Sequence, residues 1–260
     1  QFFKENGICK YQFADSLPSG ILSEMKSEMK YDYESQIPIY IVNFNDDERR
    51  NRMYQRFNSI GLNIIFTPGV NRSDVRLSRS DLKQDIRTCA IMLQHLDSIR
   101  HFYEQTDKTH CIVCEDDIMI SKYLKQQIPI IIKDFNEMKL DVLMMGYLWP
   151  FKQLNTNYCI PVKKGQFNYY TYPDDMWGSQ MYMISREHAK KLLETYTIEW
   201  AIKNHDKPFS PDWILTKIGN RALMWPMLAV EEGHSKASDN NQISYHQRSA
   251  MANYDPNVHI

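Results

Sequence analysis

Three carboxylates stand side by side at Glu115, Asp116 and Asp117 in the stretch "HCIVCEDDIMIS", directly after the apolar run from Cys111 to Cys114. Adjacent like charges repel, and withdrawing them from water costs several kcal/mol unless a partner compensates. The preceding run has the character of a buried strand. The cluster therefore falls at a strand's carboxyl end, where open α/β sheets bind their ligands. A hard cation with oxygen ligands would neutralise it and could clamp a diphosphate. The plainer alternative is an exposed acidic turn, and the position after a buried strand weighs against it.

The first strand supplies a complement. Asn43 stands at its end, and Arg49, Arg50, Arg52 and Arg56 follow on a helix. Arg49, Arg52 and Arg56 share one face at helical spacing. Guanidinium groups near a helix N-terminus make an anion site. The competing reading is a solvated basic face balancing Asp46, Asp47 and Glu48, and Arg56 is assigned to it. Cys111-x-x-Cys114 has redox or zinc spacing, but no second Cys pair or His pair completes a zinc site. The five cysteines, Cys9, Cys89, Cys111, Cys114 and Cys159, are odd in number and follow no framework. They are expected to be buried and structural, which favours a reducing, cytoplasmic setting. Removal of an N-terminal signal would make a secretory lumen the alternative.

These residues need a scaffold. Ile37 to Phe44 is a β-branched and aromatic strand, and Asn45-x-x-Glu48 has the pattern of a capping box. Met53, Phe57 and Ile60 give the next helix its inner face, Gly61 ends it, and Leu62 to Phe66 is a second strand. Strand, helix and strand make a parallel βαβ unit. Ile86, Ala90, Leu93, Leu96, Ile99 and Tyr103 mark a long amphipathic helix. Strands follow at His110 to Cys114, Asp141 to Gly146 and Gln180 to Ile184, with a helix expected after Pro129. The tyrosine-rich stretch from Tyr158 to Tyr172 is expected to hold short antiparallel strands. Ser185 and Ser210 are placed as N-caps of two further helices, the second with Pro211 at its first position. From Glu231 onward the tail is polar and shows no periodicity. The pattern predicts an α/β fold, a single domain over 37–260 with a small antiparallel addition. Residues 1–36 are expected to form an N-terminal extension with one helix.

The 260 residues, 43% hydrophobic and 24% charged, suit a globular chain with a sizeable core. A formal net charge of -1 provides no global field for nucleic acid or an anionic membrane. No uninterrupted apolar run reaches the roughly 18 residues of a membrane span. The chain begins at Gln1 without a Met, which leaves a longer precursor open. Oligomeric state has no signature in the sequence.

Six segments in order resemble glycosyltransferase family 25, which contains bacterial lipooligosaccharide galactosyltransferases and collagen-type galactosyltransferases. They are "IYIVNFNDDERRNRM", "FTPGVNRSD", "LQHLDSIRHF", "CIVCEDDIMIS", "WGSQMYMISREHAKKLL" and "SPDWILTK", spread over about residues 37 to 245. The resemblance implies a GT-A fold with a Rossmann-like nucleotide-binding sheet. It further implies a UDP-sugar donor, a divalent cation (usually Mn2+) and inverting transfer of a hexose, galactose or glucose, to a glycan or hydroxylysine-type hydroxyl. Carried over, Asp117 is the direct metal ligand, while Glu115 and Asp116 hold the donor ribose or a metal-bound water. His234 of the tail stands as a third metal ligand, and Asn43, Arg49, Arg52 and His95 fall on the donor side. Asp212 matches the family's aspartate and is the candidate base, with Asp174 and Asp175 as rivals; Trp177 could stack on a sugar. Two departures stand out: Gln94 replaces the family's serine, and Trp213 stands where collagen-type members carry a second acid. Two alternatives remain: an inactive sugar- or nucleotide-binding protein on the same scaffold, and a metal-dependent phosphohydrolase. The latter would need a second acid cluster at a neighbouring strand end.

Overall fold

The computed structural model describes residues 37–233 and 240–260. The expected N-terminal helix and His234 lie outside these residues. Strand β1 (Ile39–Val42) is buried along its whole length and leads into helix α1 (Asp47–Ser59). The cap of α1 is Asp46, whose carboxylate accepts from the Arg49 backbone N–H. The expected cap, Asn45, instead takes a left-handed backbone with φ of 49°. Asn tolerates that region, so the chain turns there and the next residue caps the helix. Met53 and Phe57 form the buried face of α1. Gly61, at φ of 69°, turns the chain into β2 (Ile65–Phe66), which pairs in parallel with β1. The βαβ unit is present.

Helix α2 (Ile86–Gln105) is capped by Asp85 and buries Cys89, Leu93, Leu96, Ile99 and Phe102 against the sheet. Strand β3 (His110–Glu115) runs parallel to β1, with Glu115 beside Val42. A short strand β4 (Ile118–Ile120) follows, then helix α3 (Leu124–Glu137). The expectation that this helix starts after Pro129 is corrected, because Pro129 lies inside it. An interior proline costs about 3 kcal/mol. The buried stripe of Leu124, Ile128, Ile131 and Phe135 offsets that cost. Strands β5 (Val142–Leu148), β6 (Pro161–Lys164), β7 (Asn168–Tyr170) and β8 (Trp177–Ser185) come next. Helix α4 (Arg186–Thr195), capped by Ser185 as expected, precedes α5 (Ile198–Lys203) and the single turn α6 (Pro211–Ile214).

With β9 (Arg221–Trp225), the large sheet has the order β2-β1-β3-β8-β5-β9-β7-β6. Pairs β1/β2, β1/β3 and β5/β9 are parallel; β8 runs antiparallel between β3 and β5, and β6 and β7 form an antiparallel edge. The sheet is mixed, with an antiparallel strand at its centre rather than a wholly parallel core. Residues 178 to 184 of β8 are all buried, and Met181 to Ile184 read as the continuous apolar run of a parallel strand. Its direction leaves no mark on its composition.

A second sheet pairs β4 with β10 (Ala229–Glu231), antiparallel, placing Glu231 opposite Ile118. Residues 240–260 of the tail add further structure. Helix α7 (Asn240–Asn253) buries Ser249 and Ala250, and residues 258 to 260 then pair with β4. Ile120 and Ile260 exchange backbone hydrogen bonds of 3.0 and 2.9 Å. Small buried residues create no apolar stripe, so the periodicity of α7 is invisible in sequence. No described helix is long and apolar enough to cross a membrane.

Candidate active site

The end of β3 delivers the acidic triplet to the edge of the sheet. Asp116 and Asp117 are buried, each 9% exposed, which rules out the exposed acidic turn. Asp116 accepts from Asn43 Nδ2 at 2.6 Å and from Arg49 Nη1 at 2.8 Å. Arg49 Nη1 also reaches Asp117 Oδ2 at 3.1 Å. Asn43 is itself held, because its carbonyl accepts from Gln94 Nε2 at 2.8 Å. Gln94, the residue that departs from the family pattern, thus reaches from α2 to the end of β1. Glu115 accepts from the Ser179 hydroxyl at 3.0 Å. Asp117 Oδ1 is buried and has no hydrogen-bond partner among the described residues.

The arginines of α1 divide between two tasks. Arg49 pairs with Asp116 and Asp117. Arg52 pairs with Glu48 at 2.6 Å and with Glu232 at 3.3 Å, while Arg56 pairs with Glu232 at 2.5 Å. Arg56, expected to be solvated, is therefore part of the site's charge network. Glu231 and Glu232 are residues that the sequence reading missed. Glu231 is 5% exposed and accepts from His246 Nδ1 on α7 at 2.6 Å. The Glu232 N–H donates to the Asp117 carbonyl at 2.8 Å. A signal for the pair was present: "MLAVEE" repeats the apolar-then-acidic pattern of "CIVCEDD". His246 has no comparable signal.

Asp212 sits in the first turn of α6, and its Oδ1 has no hydrogen-bond partner among the described residues. Burial raises its pKa above the ordinary carboxylate value, against the pull of the Ser179 hydroxyl, Lys217, the Gly178 N–H and His246. The adjoining backbone is tightly specified. Gly178 has φ of 103°, and a Cβ there would lie 2.1 Å from Gln180 Oε1. Trp213 follows Asp212 in the chain and Trp177 precedes Gly178; their ring centroids lie 6.3 Å apart. Asp174 is committed to Arg221 at 2.5 Å, and Asp175 is exposed. His95 is fully buried, with Nδ1 2.9 Å from the Tyr182 hydroxyl, and burial lowers its pKa to about 3. It braces β8 from α2 and has no surface open to a donor.

The cluster carries more negative charge than its arginines balance. Burial, then Asp117, Asp212 and Glu231, push Glu115 well above the usual carboxylate range. Asp117 is pushed up to about 7 by burial and then by Glu231, with Arg49 pulling the other way. His246 is raised, chiefly by its hydrogen bond to Glu231. Such a cluster takes up protons or a cation. Among the described residues no group of three or more His, Cys, Asp or Glu is arranged to hold a metal. The donors present are nevertheless hard oxygens, and one of them is unpartnered. A small divalent cation commonly uses one or two carboxylates and completes its shell with substrate phosphates, and Asp117 fits that mode.

The described cysteines serve packing. Cys89, Cys111, Cys114 and Cys159 are free and buried, and burial raises each thiol's pKa, which removes the redox and zinc readings of Cys111-x-x-Cys114.

The sequence matches no protein-family model and no curated protein. Among solved structures, the chain is similar to A197 from STIV, with a TM-score of 0.40 and 14% identity over 75% of this chain and 83% of that one. It is also similar to mannose-1-phosphate geranyltransferase from Thermus thermophilus, with a TM-score of 0.33 and 10% identity over 71% of this chain and 57% of that one. Neither likeness is close enough to assign a family.

Proposed function

We propose that the chain is an inverting glycosyltransferase of GT-A type that moves galactose or glucose from a UDP-sugar to an acceptor hydroxyl, using manganese or a similar divalent cation. The observation that carries this reading is the buried acid cluster at the carboxyl end of β3, with Asp117 Oδ1 unpartnered among the described residues. A bound cation would offset negative charge on the cluster and on the diphosphate together. Asn43 and Arg49 hold Asp116 and Asp117 in place for it. Asp212 is the base. Its raised pKa and its buried Oδ1, unpartnered among the described residues, suit it to take the acceptor's proton. As the acceptor oxygen bonds to the anomeric carbon, the bond from that carbon to the diphosphate breaks, and the proton goes to Asp212. The free, buried cysteines support a reducing, cytoplasmic setting.

A screen of UDP-sugars with manganese, reading UDP release, tests the proposal. Chelator-sensitive release from one donor, lost in Asp117→Asn, is the expected result. Binding of UDP without turnover of any donor would leave the inactive binding protein instead. The phosphohydrolase reading gains something from the fold, because Glu231 and Glu232 supply a second acid pair beside the triplet. Both are already engaged, however, Glu231 by His246 and Glu232 by Arg52 and Arg56. This favours a single-cation site, and hydrolysis of a simple phosphomonoester with no sugar transfer would reverse that preference.

A further inference from the structure

We infer that Trp177 and Trp213 form the acceptor platform, and that the acceptor they select is the pyranose ring of a carbohydrate rather than a hydroxylated protein side chain. The inference rests on the transferase reading and names its acceptor class. Both rings belong to the segments that carry and hold Asp212: Trp213 follows Asp212 directly in the chain, Trp177 precedes Gly178, whose N–H bonds to Asp212, and the ring centroids lie 6.3 Å apart. Trp177 is 46% exposed, although tryptophan is highly buried on average.

The exposed ring stands on a fixed support. Lys217 Nζ lies 4.7 Å from the centroid of Trp213 and 5.5 Å from that of Trp177. The same ammonium donates to the Met176 carbonyl at 3.1 Å and to the Asp174 carbonyl, fastening the segment before β8 to the segment after α6. Arg221 holds the Asp174 carboxylate and lies 4.7 Å from the centroid of Tyr172. A preorganised aromatic surface of this kind binds without first losing side-chain entropy.

The chemistry selects the occupant. A pyranose offers an apolar C–H face to a ring and a hydroxyl edge to an acceptor. An ionised carboxylate only accepts hydrogen bonds, and Asp212 Oδ1 has no donor among the described residues. A sugar hydroxyl answers that need while its C–H face covers the tryptophans. A hydroxylysine side chain would bring its own ammonium to rings that Lys217 already faces, and like charges so placed repel.

Saturation-transfer NMR on the full chain, with methyl β-galactoside, methyl β-glucoside and lactose as probes, tests this without donor or metal. The expected result is signal from pyranose C–H protons, with affinity lowered about tenfold in Trp177→Ala and less in Trp177→Phe. UDP titration of the same variants should show unchanged donor affinity. Equal glycoside binding in wild type and both variants would overturn the platform, as would binding of a hydroxylysine peptide with no binding of any glycoside. Failure of the donor reading has a different signature: Trp177-dependent glycoside binding beside a complete absence of UDP binding supports the platform and removes the transferase.

Discussion

Burial pushes the Asp117 carboxyl up to about 7, with Glu231 adding to the push and Arg49 opposing it. In an unfolded chain an aspartate titrates near 4. Between those values the native protein keeps a proton that the unfolded chain has released, so this group's contribution to stability is complete at low pH and is lost as pH rises through about 7. Asp117→Asn removes the titration. In metal-free buffer the variant should melt a few °C above wild type at about pH 7.5 and lose that advantage near pH 4, a comparison that thermal melts across pH can make. The same variant should abolish manganese-dependent UDP binding in titration calorimetry; unchanged affinity would make the triplet purely structural. Asp212→Asn should lower kcat by about 10²–10⁴ while leaving UDP affinity nearly unchanged. A collapse of donor binding would instead make Asp212 a donor contact and return the search for the base to Asp174 and Asp175.

At the scale of elements, the site depends on how closely β10 lies against the large sheet. Gly146 on β5 makes room for it: a Cβ there would stand 2.8 Å from the Ala229 carbonyl oxygen and 3.2 Å from Met181 Cβ. Gly146→Ala should therefore push β10 outward, costing about 1–3 kcal/mol and lowering the urea midpoint. An unchanged midpoint would show that β10 yields freely. The elements legible in sequence were those with a strong stripe or run, namely β1, α1, α2, β3, β5, β8 and α4. Those that were not legible lack one. β4 and β10 have three residues each, too few to show an alternation, and each is buried by a partner more than 100 residues away. The Asn45 and Asp46 exchange at the cap of α1 has a different cause, since both residue types cap helices and only the turn distinguishes them.

Across the whole molecule, the candidate site draws on Asn43, Arg49, the triplet, Ser179, Asp212, Glu231 and His246. The first half was visible because its residues follow a strand or open a helix that announces itself. Ser179 and His246 owe their positions to β8 and α7, whose direction and existence composition does not reveal. Residues 254–260 join this assembly only through the fold. Ile260 exchanges two backbone bonds with Ile120, and the Lys122 N–H donates to the Val258 carbonyl at 2.8 Å. Deleting residues 254–260 should leave the large sheet folded by circular dichroism yet lower the melting temperature and weaken UDP binding. A truncated chain that binds UDP normally would show that β4 holds its place without them.

The pairing of β4 with β10 and Ile260 also imposes an order in time. About 140 residues separate Ile118 from Ile260, and a ribosome adding roughly 5–20 residues per second needs about 7–28 s to supply them. During that interval β1, α1 and β3 emerge, and Arg49 can then meet the triplet. Glu231 and His246 are added only late in it, and the closing backbone bonds come last. The enclosed acid cluster is therefore a late product of synthesis, and a chain cut short after Asp212 would carry Asp117 and Asp212 without Glu231 and His246, which act on their protons.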